Sequence, residues 1–76
     1  MPVYYFNVHC DSFEETDLVG ELCPNHEAAR AEAFRTAREL IQQQLLAGAM
    51  LQGGWVEVED EEHRPVLMLP LRAASC

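Results

Sequence analysis

The chain has 76 residues and a mass of 8.6 kDa, which is enough for one small domain and excludes a two-domain enzyme. Apolar residues make up 49% of the chain, which excludes the low-hydrophobicity composition of a disordered protein. Thirteen acidic residues and five basic ones give a formal net charge of -8, which opposes nucleic-acid binding and suits a basic protein partner.

The first predicted element is a β-strand over Val3 to His9, where side chains alternate between two faces. One face is deeply apolar, and the other is partly apolar because it carries Val3 and Tyr5. The apolar face consists of Tyr4, Phe6 and Val8.

A weaker strand is predicted next. Residues 10–15 form a polar connection, and Thr16 to Leu22 then have the character of a second strand interrupted by Gly20.

A long helix follows from His26 to about Ala47. Pro24 and the capping residue Asn25 mark its beginning, and Glu27 complements the positive end of the helix dipole. A stripe at spacings of three and four residues predicts that one side of this helix packs on a core. The stripe consists of Ala29, Ala33, Phe34, Ala37, Leu40 and Ile41.

Two further strands complete the chain. Gly53 and Gly54 mark a turn before a strand over 55–59, and a charged turn separates it from a last strand over Val66 to Leu71. Pro65 and Pro70 lack amide donors, so this last strand belongs at an edge of the sheet, and residues 72–76 form a tail. The element order predicts a single α+β domain over residues 1–76, a four-stranded antiparallel sheet with one helix on one face.

A set of segments along the chain carries a resemblance to known proteins: 1–6 with His9, 17–20, Pro24, 27–33, 37–40, 56–58 with 60–61, and 69–72. In these segments the chain resembles a family of small bacterial proteins known only as a domain of unknown function. The resemblance spans essentially the whole chain and implies the same fold, with no activity attached. The chain departs from the family pattern at four positions: Cys23 and His26 stand where an apolar Leu is usual, Asn25 where Asp is usual, and His63 where Gly is usual.

The candidate metal ligands are Cys10, Cys23 and His26. Soft thiolates and an imidazole suit zinc, and a zinc ion would stabilise so small a domain. The paired knuckles typical of zinc motifs are missing, however, so we expect no metal and no cofactor. A buried Cys23 with His26 near the surface is the simpler interpretation.

Catalysis is not expected. Neither serine lies in a nucleophile elbow, and Gly53-Gly54 precedes a strand rather than the helix that a phosphate-binding loop requires. His9 and the adjacent Cys10 point to opposite faces of one strand. We therefore expect no enzyme.

An interaction surface is the leading prediction. One helix covers one face of the sheet, so the chain should self-associate through the uncovered face or through the apolar segment after the helix, most simply as a two-fold homodimer. The sequence thus indicates a non-catalytic interaction or regulatory module. The predicted interface residues are Val3, Tyr5, Leu46, Met50, Leu51 and Trp55.

Two alternatives remain open. A fainter similarity, carried by the strand-strand-helix order and Glu27-Ala28-Ala29, is to antitoxins with a partial ribonuclease-H-like fold, and it implies an acidic protein that binds a basic toxin. The other alternative is a zinc-stapled domain. Three cysteines without framework spacing, no signal peptide and no apolar run of 18 residues predict a cytoplasmic protein without a membrane span.

Overall fold

The computed structural model describes residues 1–10, 14–46 and 53–74, with side chains described outside 44–46. Five strands and one α-helix form an α+β layer pair, as predicted. The elements are β1 (Val3–His9), β2 (Glu14–Glu15), β3 (Glu21–Leu22), α1 (His26–Leu46), β4 (Trp55–Glu59), β5 (Pro65–Pro70) and a 3-10 helix (Leu71–Ala74).

The sheet is antiparallel throughout and has the order β2-β1-β4-β5. Strand β3 also pairs with β1, at the opposite end from β2. Strand β5 has β4 as its single neighbour among the described strands, which confirms the edge position predicted from Pro65 and Pro70.

The second strand differs from the prediction. Instead of one strand over Thr16 to Leu22, two short strands flank a loop, and β2 includes Glu14 and Glu15 from the predicted connection. The side chain of Asp17 causes the interruption, because its carboxylate accepts the amide hydrogen of Phe6 in the place of a ladder carbonyl.

The core lies between the sheet and α1. Its three central helix positions are alanines with 0–1% of their surface exposed, so the helix backbone lies close to the strands. Phe34, Leu40 and Ile41 pack at its margin, as the helical stripe predicts. The core residues are Tyr4, Phe6, Val8, Cys23, Ala29, Ala33, Ala37, Val56, Val58, Leu69, Leu71 and Ala74.

The predicted tail is wrong over its first residues. Leu71 to Ala74 form a 3-10 helix that packs on α1, with Leu71 and Ala74 buried. Leu71 also donates its amide hydrogen to the carbonyl of Gly54 at 3.1 Å, which ties the chain after β5 to the chain before β4. These two apolar side chains close the end of the core that α1 alone does not reach.

Candidate binding surface

The face of the sheet away from α1 carries aromatic, acidic and imidazole side chains and is the candidate binding surface. The strand registers place its residues in three rows: Tyr5 beside Glu59, Asn7 beside Glu57 and Met68, and His9 beside Trp55 and Pro70. We call this surface the open face. Its middle row carries the polar side chains of Asn7 and Glu57 next to Met68, and aromatic side chains lie in the rows on both sides.

The open face is therefore less apolar than expected. Asn7 is 6% exposed, and Glu57 and Glu59 project beside it where the prediction of an uncovered apolar face requires hydrocarbon. The residues predicted for this face do lie on the uncovered side of the sheet, but carboxylates stand beside them on the neighbouring strand. Burial of apolar area is consequently a weaker reason for this face to associate than the alternation alone suggests.

At one end, His9 and Trp55 stack with ring centroids 5.0 Å apart and planes inclined by 21°. Two carboxylates flank the imidazole: Glu14 Oε2 lies 3.8 Å from Nδ1, and Glu57 Oε1 lies 3.7 Å from Nε2. Both distances exceed hydrogen-bond length, and Nε2 is buried without a hydrogen-bond partner. Trp55 remains 38% exposed, so its ring is available to another molecule.

At the other end, Tyr5 stacks on His63 with ring centroids 4.3 Å apart and an interplanar angle of 28°. His63 Nδ1 lies 3.4 Å from Glu59 Oε1. His63 itself has a φ of 61°, a left-handed backbone conformation that glycine adopts most readily.

The charged turn that carries His63 is organised by Asp60. Its carboxylate accepts the amide hydrogens of Glu62 and Arg64, each at 2.9 Å, and these bonds, with that from Arg64 the stronger, lower the pKa of Asp60. Arg64 also contacts Asp60 through its side chain at 3.1 Å. The acidic turn is thus an ordered structure beside the open face.

A groove of about 250 Å³ adjoins Trp55. Besides Trp55 it is lined by Gly53 and Gly54 before β4, by Met68 and Pro70 of β5, and by Leu71 and Arg72. Gly54 is required here, because it has a φ of 111° and a Cβ would lie 2.3 Å from the carbonyl oxygen of His9. The groove extends the exposed aromatic surface toward β5.

The predicted interface residues fall into two groups. Val3 and Tyr5 are half-buried and share the open face with Trp55, so the structure brings these three to one side of the sheet. The backbone of Leu46 ends α1, while its side chain, Met50 and Leu51 lie outside the described residues. The apolar segment after the helix remains a prediction.

The candidate metal ligands do not form a site within the described ranges. Cys23 is 4% exposed in the core, and burial, followed by the charges of Glu21 and Glu32, raises the pKa of its thiol. Exposed His26 lies edge-on to Tyr4 with ring centroids 5.6 Å apart, and Cys10 packs at the margin of the core. Residues 1–10, 14–46 and 53–74 contain no group of three His, Cys, Asp or Glu side chains placed to hold a metal ion.

Sequence reasoning missed an exposed apolar tip. Leu18 and Val19 are 87% and 86% exposed, and they lie in a tight loop held by Asp17, whose Oδ1 accepts the amide hydrogens of Val19 and Gly20. The signal that could have indicated the loop is Asp followed three residues later by Gly, a common turn signature.

No described helix has the length and apolar character needed to cross a bilayer.

Comparison with known proteins identifies the family and no activity. No curated protein and no solved structure matches the chain significantly. The family model that matches covers residues 3–72, which include every strand of the sheet and all of α1. With this match over nearly the whole chain, the protein belongs to the family described as a domain of unknown function, DUF6894.

Proposed function

We propose that the protein is a non-catalytic interaction module that binds a positively charged protein segment on the open face. The observation that carries the proposal is the exposed Trp55 ring, which stacks on His9 with the carboxylates of Glu14 and Glu57 beside it. An arginine or lysine that approached this end would meet an aromatic ring and two acidic groups together.

The charge distribution supports a basic partner. Glu14, Glu57 and Glu59 lie on the open face, and Arg72 at the end of the groove near Trp55 offsets only part of their charge. The whole chain carries a net charge of -8, so its long-range field also attracts a cationic partner and accelerates encounter.

Aromatic residues give such a surface binding energy beyond charge. Tyr5 and Trp55 are held by their stacking partners, so little side-chain freedom is lost when a ligand covers them. Protein interfaces commonly derive most of their binding energy from a few residues, often Tyr and Trp, that are surrounded by a polar rim.

The experiment uses the fluorescence of Trp55, the single tryptophan of the chain. Titration with an oligo-arginine of about ten residues should change this fluorescence, and the response should weaken steeply between about 50 and 200 mM salt because screening increases. An oligo-glutamate of equal length should have no effect. Unchanged fluorescence with oligo-arginine would contradict the proposal.

Matched variants locate the binding site. Glu57→Gln should weaken oligo-arginine binding severalfold, because it removes a charge beside the Trp55 ring. Glu39→Gln removes the same charge from an exposed position on α1 and should leave the affinity nearly unchanged. Equal losses in the two variants would mean that only net charge matters.

The antitoxin-like alternative is a particular form of this proposal, in which the cationic partner is a toxin. It predicts that a small basic protein copurifies with the chain from the native cytoplasm, the compartment that we propose for this protein. Relief of toxicity on co-expression would support it, whereas unrelieved toxicity would remove this alternative and leave the basic-segment proposal in place.

Self-association is the second candidate function, and the edge strand β5 favours it. Strand β5 offers an unpaired side within the described sheet, and Val66, Leu67 and Met68 on it retain exposed apolar surface. Analytical ultracentrifugation at low micromolar concentrations should detect a dimer. A folded monomer throughout that range would contradict self-association.

A further inference from the structure

We propose that two copies of the chain pair through β5, antiparallel and about a two-fold axis at Met68, so that their sheets become one. This inference rests on the self-association proposed above and specifies its geometry. The occupant of the β5 edge is a second copy of this chain.

The backbone of β5 supplies the first argument. The bond from the Leu71 amide to the Gly54 carbonyl marks these two residues as a hydrogen-bonded pair, one step beyond Trp55 and Pro70. Hydrogen-bonded pairs alternate in an antiparallel ladder, so Leu69 and Leu67 bond to β4. The N–H and C=O of Met68 consequently point away from β4, toward the open edge.

A two-fold axis at Met68 uses both groups. The Met68 N–H of one copy donates to the Met68 carbonyl of the partner subunit, and the reverse bond forms as well. Pro65 and Pro70, which have no amide hydrogen, lie at the two ends of β5 and take no part in this central pair. The prolines protect the two ends of this edge, but the residues between Pro65 and Pro70 are all apolar and none carries the charged side chain that commonly protects the middle of an edge strand.

The side chains fit the same register. Pairing about Met68 places Leu67 opposite Leu69 of the partner subunit, on the face that carries the core. Leu67 and Val66 are half-buried, and with Ala29 and Val58 they line an apolar groove of about 170 Å³ between α1 and β5. A second copy would cover this groove and extend the core across the axis.

The orientation of α1 supplies charge complementarity. The first turns of α1 lie beside Val66 and Leu67 at the start of β5, and α1 also contacts the 3-10 helix that follows β5, so α1 runs in the direction of β5. The two-fold axis therefore makes the two α1 helices antiparallel. Residues 26–30 lie level with Val66 and Leu67, and one strand step of about 3.3 Å equals about two helix residues, so Met68 lies level with about residue 31 of α1. In the proposed dimer this places Glu27 near Arg38 of the partner subunit.

Further residues on the same side of α1 fit this arrangement. Glu27, Arg30, Ala31, Phe34 and Arg38 line one surface patch, and Arg30 lies over the Phe34 ring at 5.2 Å from its centroid. In the proposed dimer this patch lies beside the same patch of the partner subunit, so Phe34 and the charged residues around it contribute to both sides of the interface.

A charge-swap experiment tests the geometry. Glu27→Arg and Arg38→Glu should each weaken the dimer about fivefold in sedimentation equilibrium, because each places like charges opposite one another twice per dimer. The double variant should recover most of the wild-type affinity. Residues 27 and 38 are about 16 Å apart along one helix, so such recovery requires contact between subunits.

Met68→Lys should weaken the dimer at least tenfold, since it places two ammonium groups at the axis, whereas Met68→Leu should preserve it. Circular dichroism establishes that each variant is folded. A folded wild-type chain that stays monomeric throughout the low micromolar range would overturn both self-association and this pairing. A dimer that withstands both Met68→Lys and the single charge reversals would overturn the pairing through β5 alone.

Discussion

The carboxylate of Asp17 accepts the amide hydrogen of Phe6 at 3.1 Å, in the stretch of β1 between its pairings with β2 and β3. Asp17 in turn donates its own amide hydrogen to the side-chain oxygen of Asn7 at 2.9 Å. The side chains of Asp17 and Asn7 therefore take the place of backbone hydrogen bonds where the strand beside β1 is interrupted. These two bonds satisfy the amide hydrogens of Phe6 and Asp17 without a continuous edge strand.

Asp17→Ala should destabilise the fold by about 2–3 kcal/mol. It removes the acceptor for three amide hydrogens, those of Phe6, Val19 and Gly20, and the Phe6 amide lies in a partly buried position. Urea denaturation followed by circular dichroism would measure the loss. Asp17→Asn keeps one side-chain oxygen and should lose less than Asp17→Ala; equal losses would contradict the role assigned to the carboxylate.

Gly20→Ala should cost about 1–3 kcal/mol. Gly20 has a φ of 81°, and a Cβ there would lie 2.5 Å from Val3 Cγ1 and 3.0 Å from Tyr5 Cε1. Thermal denaturation would measure the effect. In a Val3→Ala background the steric part should shrink, so the two substitutions should together cost less than their sum; strict additivity would show that no clash exists.

Asn25→Ala should lower the free energy of unfolding by about 1 kcal/mol. The Asn25 side-chain oxygen accepts the amide hydrogen of Ala28 at 2.8 Å, an N-cap bond at the start of α1. Asn25→Asp keeps this bond and adds a negative charge at the positive helix end, so it should be at least as stable as the wild type. Chemical denaturation would measure the free energy of unfolding of both variants. An Asn25→Ala protein as stable as the wild type would contradict the stabilising role of this N-cap bond.

Alternation and helical spacing were enough to predict β1, β4 and α1, because each buries one regular stripe. Tyr4, Phe6 and Val8 fill the core as expected. The interrupted strand at Asp17 could not be predicted in this way, since a side chain that substitutes for backbone leaves no periodic signal. Likewise the 3-10 helix after β5 depends on contacts with α1, distant in sequence.

The candidate surface was predictable only in part. Strand parity correctly put Val3, Tyr5 and Trp55 on one side of the sheet. Its polar middle row depends on which residues stand opposite one another, and Asn7 meets Glu57 only because of the β1–β4 register. Register is a property of the assembled sheet, so the acidic character of the open face emerges with the structure.

Ala33→Leu should destabilise the protein by about 1–3 kcal/mol or prevent folding. Ala33 is 0% exposed where α1 approaches the sheet, so three added carbons have no space without displacement of the helix. Ala73→Leu makes the same chemical change at an exposed position of the 3-10 helix after β5 and should have little effect on urea denaturation. If both variants unfolded at the same urea concentration as the wild type, close packing at Ala33 would be refuted.

The ion pairs around Arg35 predict how stability responds to acid. The guanidinium lies against Glu32 and pairs with Glu39 at 2.9 Å, and the hydrogen bonds from Arg35 lower the pKa of Glu32 below its usual 4.5. Glu21 has the opposite shift: burial, and then its hydrogen bond to Glu32, raise its pKa. The two neighbouring carboxylates therefore affect the pH dependence in opposite directions.

For Glu32, the folded state binds a proton more weakly than the unfolded state, so its stabilising contribution is present above pH 4.5 and is lost as the pH falls through the lowered folded pKa. For Glu21, the folded state binds the proton more strongly, and stability falls as the pH rises through its raised pKa. Glu32→Gln should accordingly lower the urea midpoint at pH 7 and flatten its decline toward pH 3, whereas Glu21→Gln should not lower it at pH 7. The reverse ranking of the two variants would show that Arg35 does not stabilise the ionised form of Glu32.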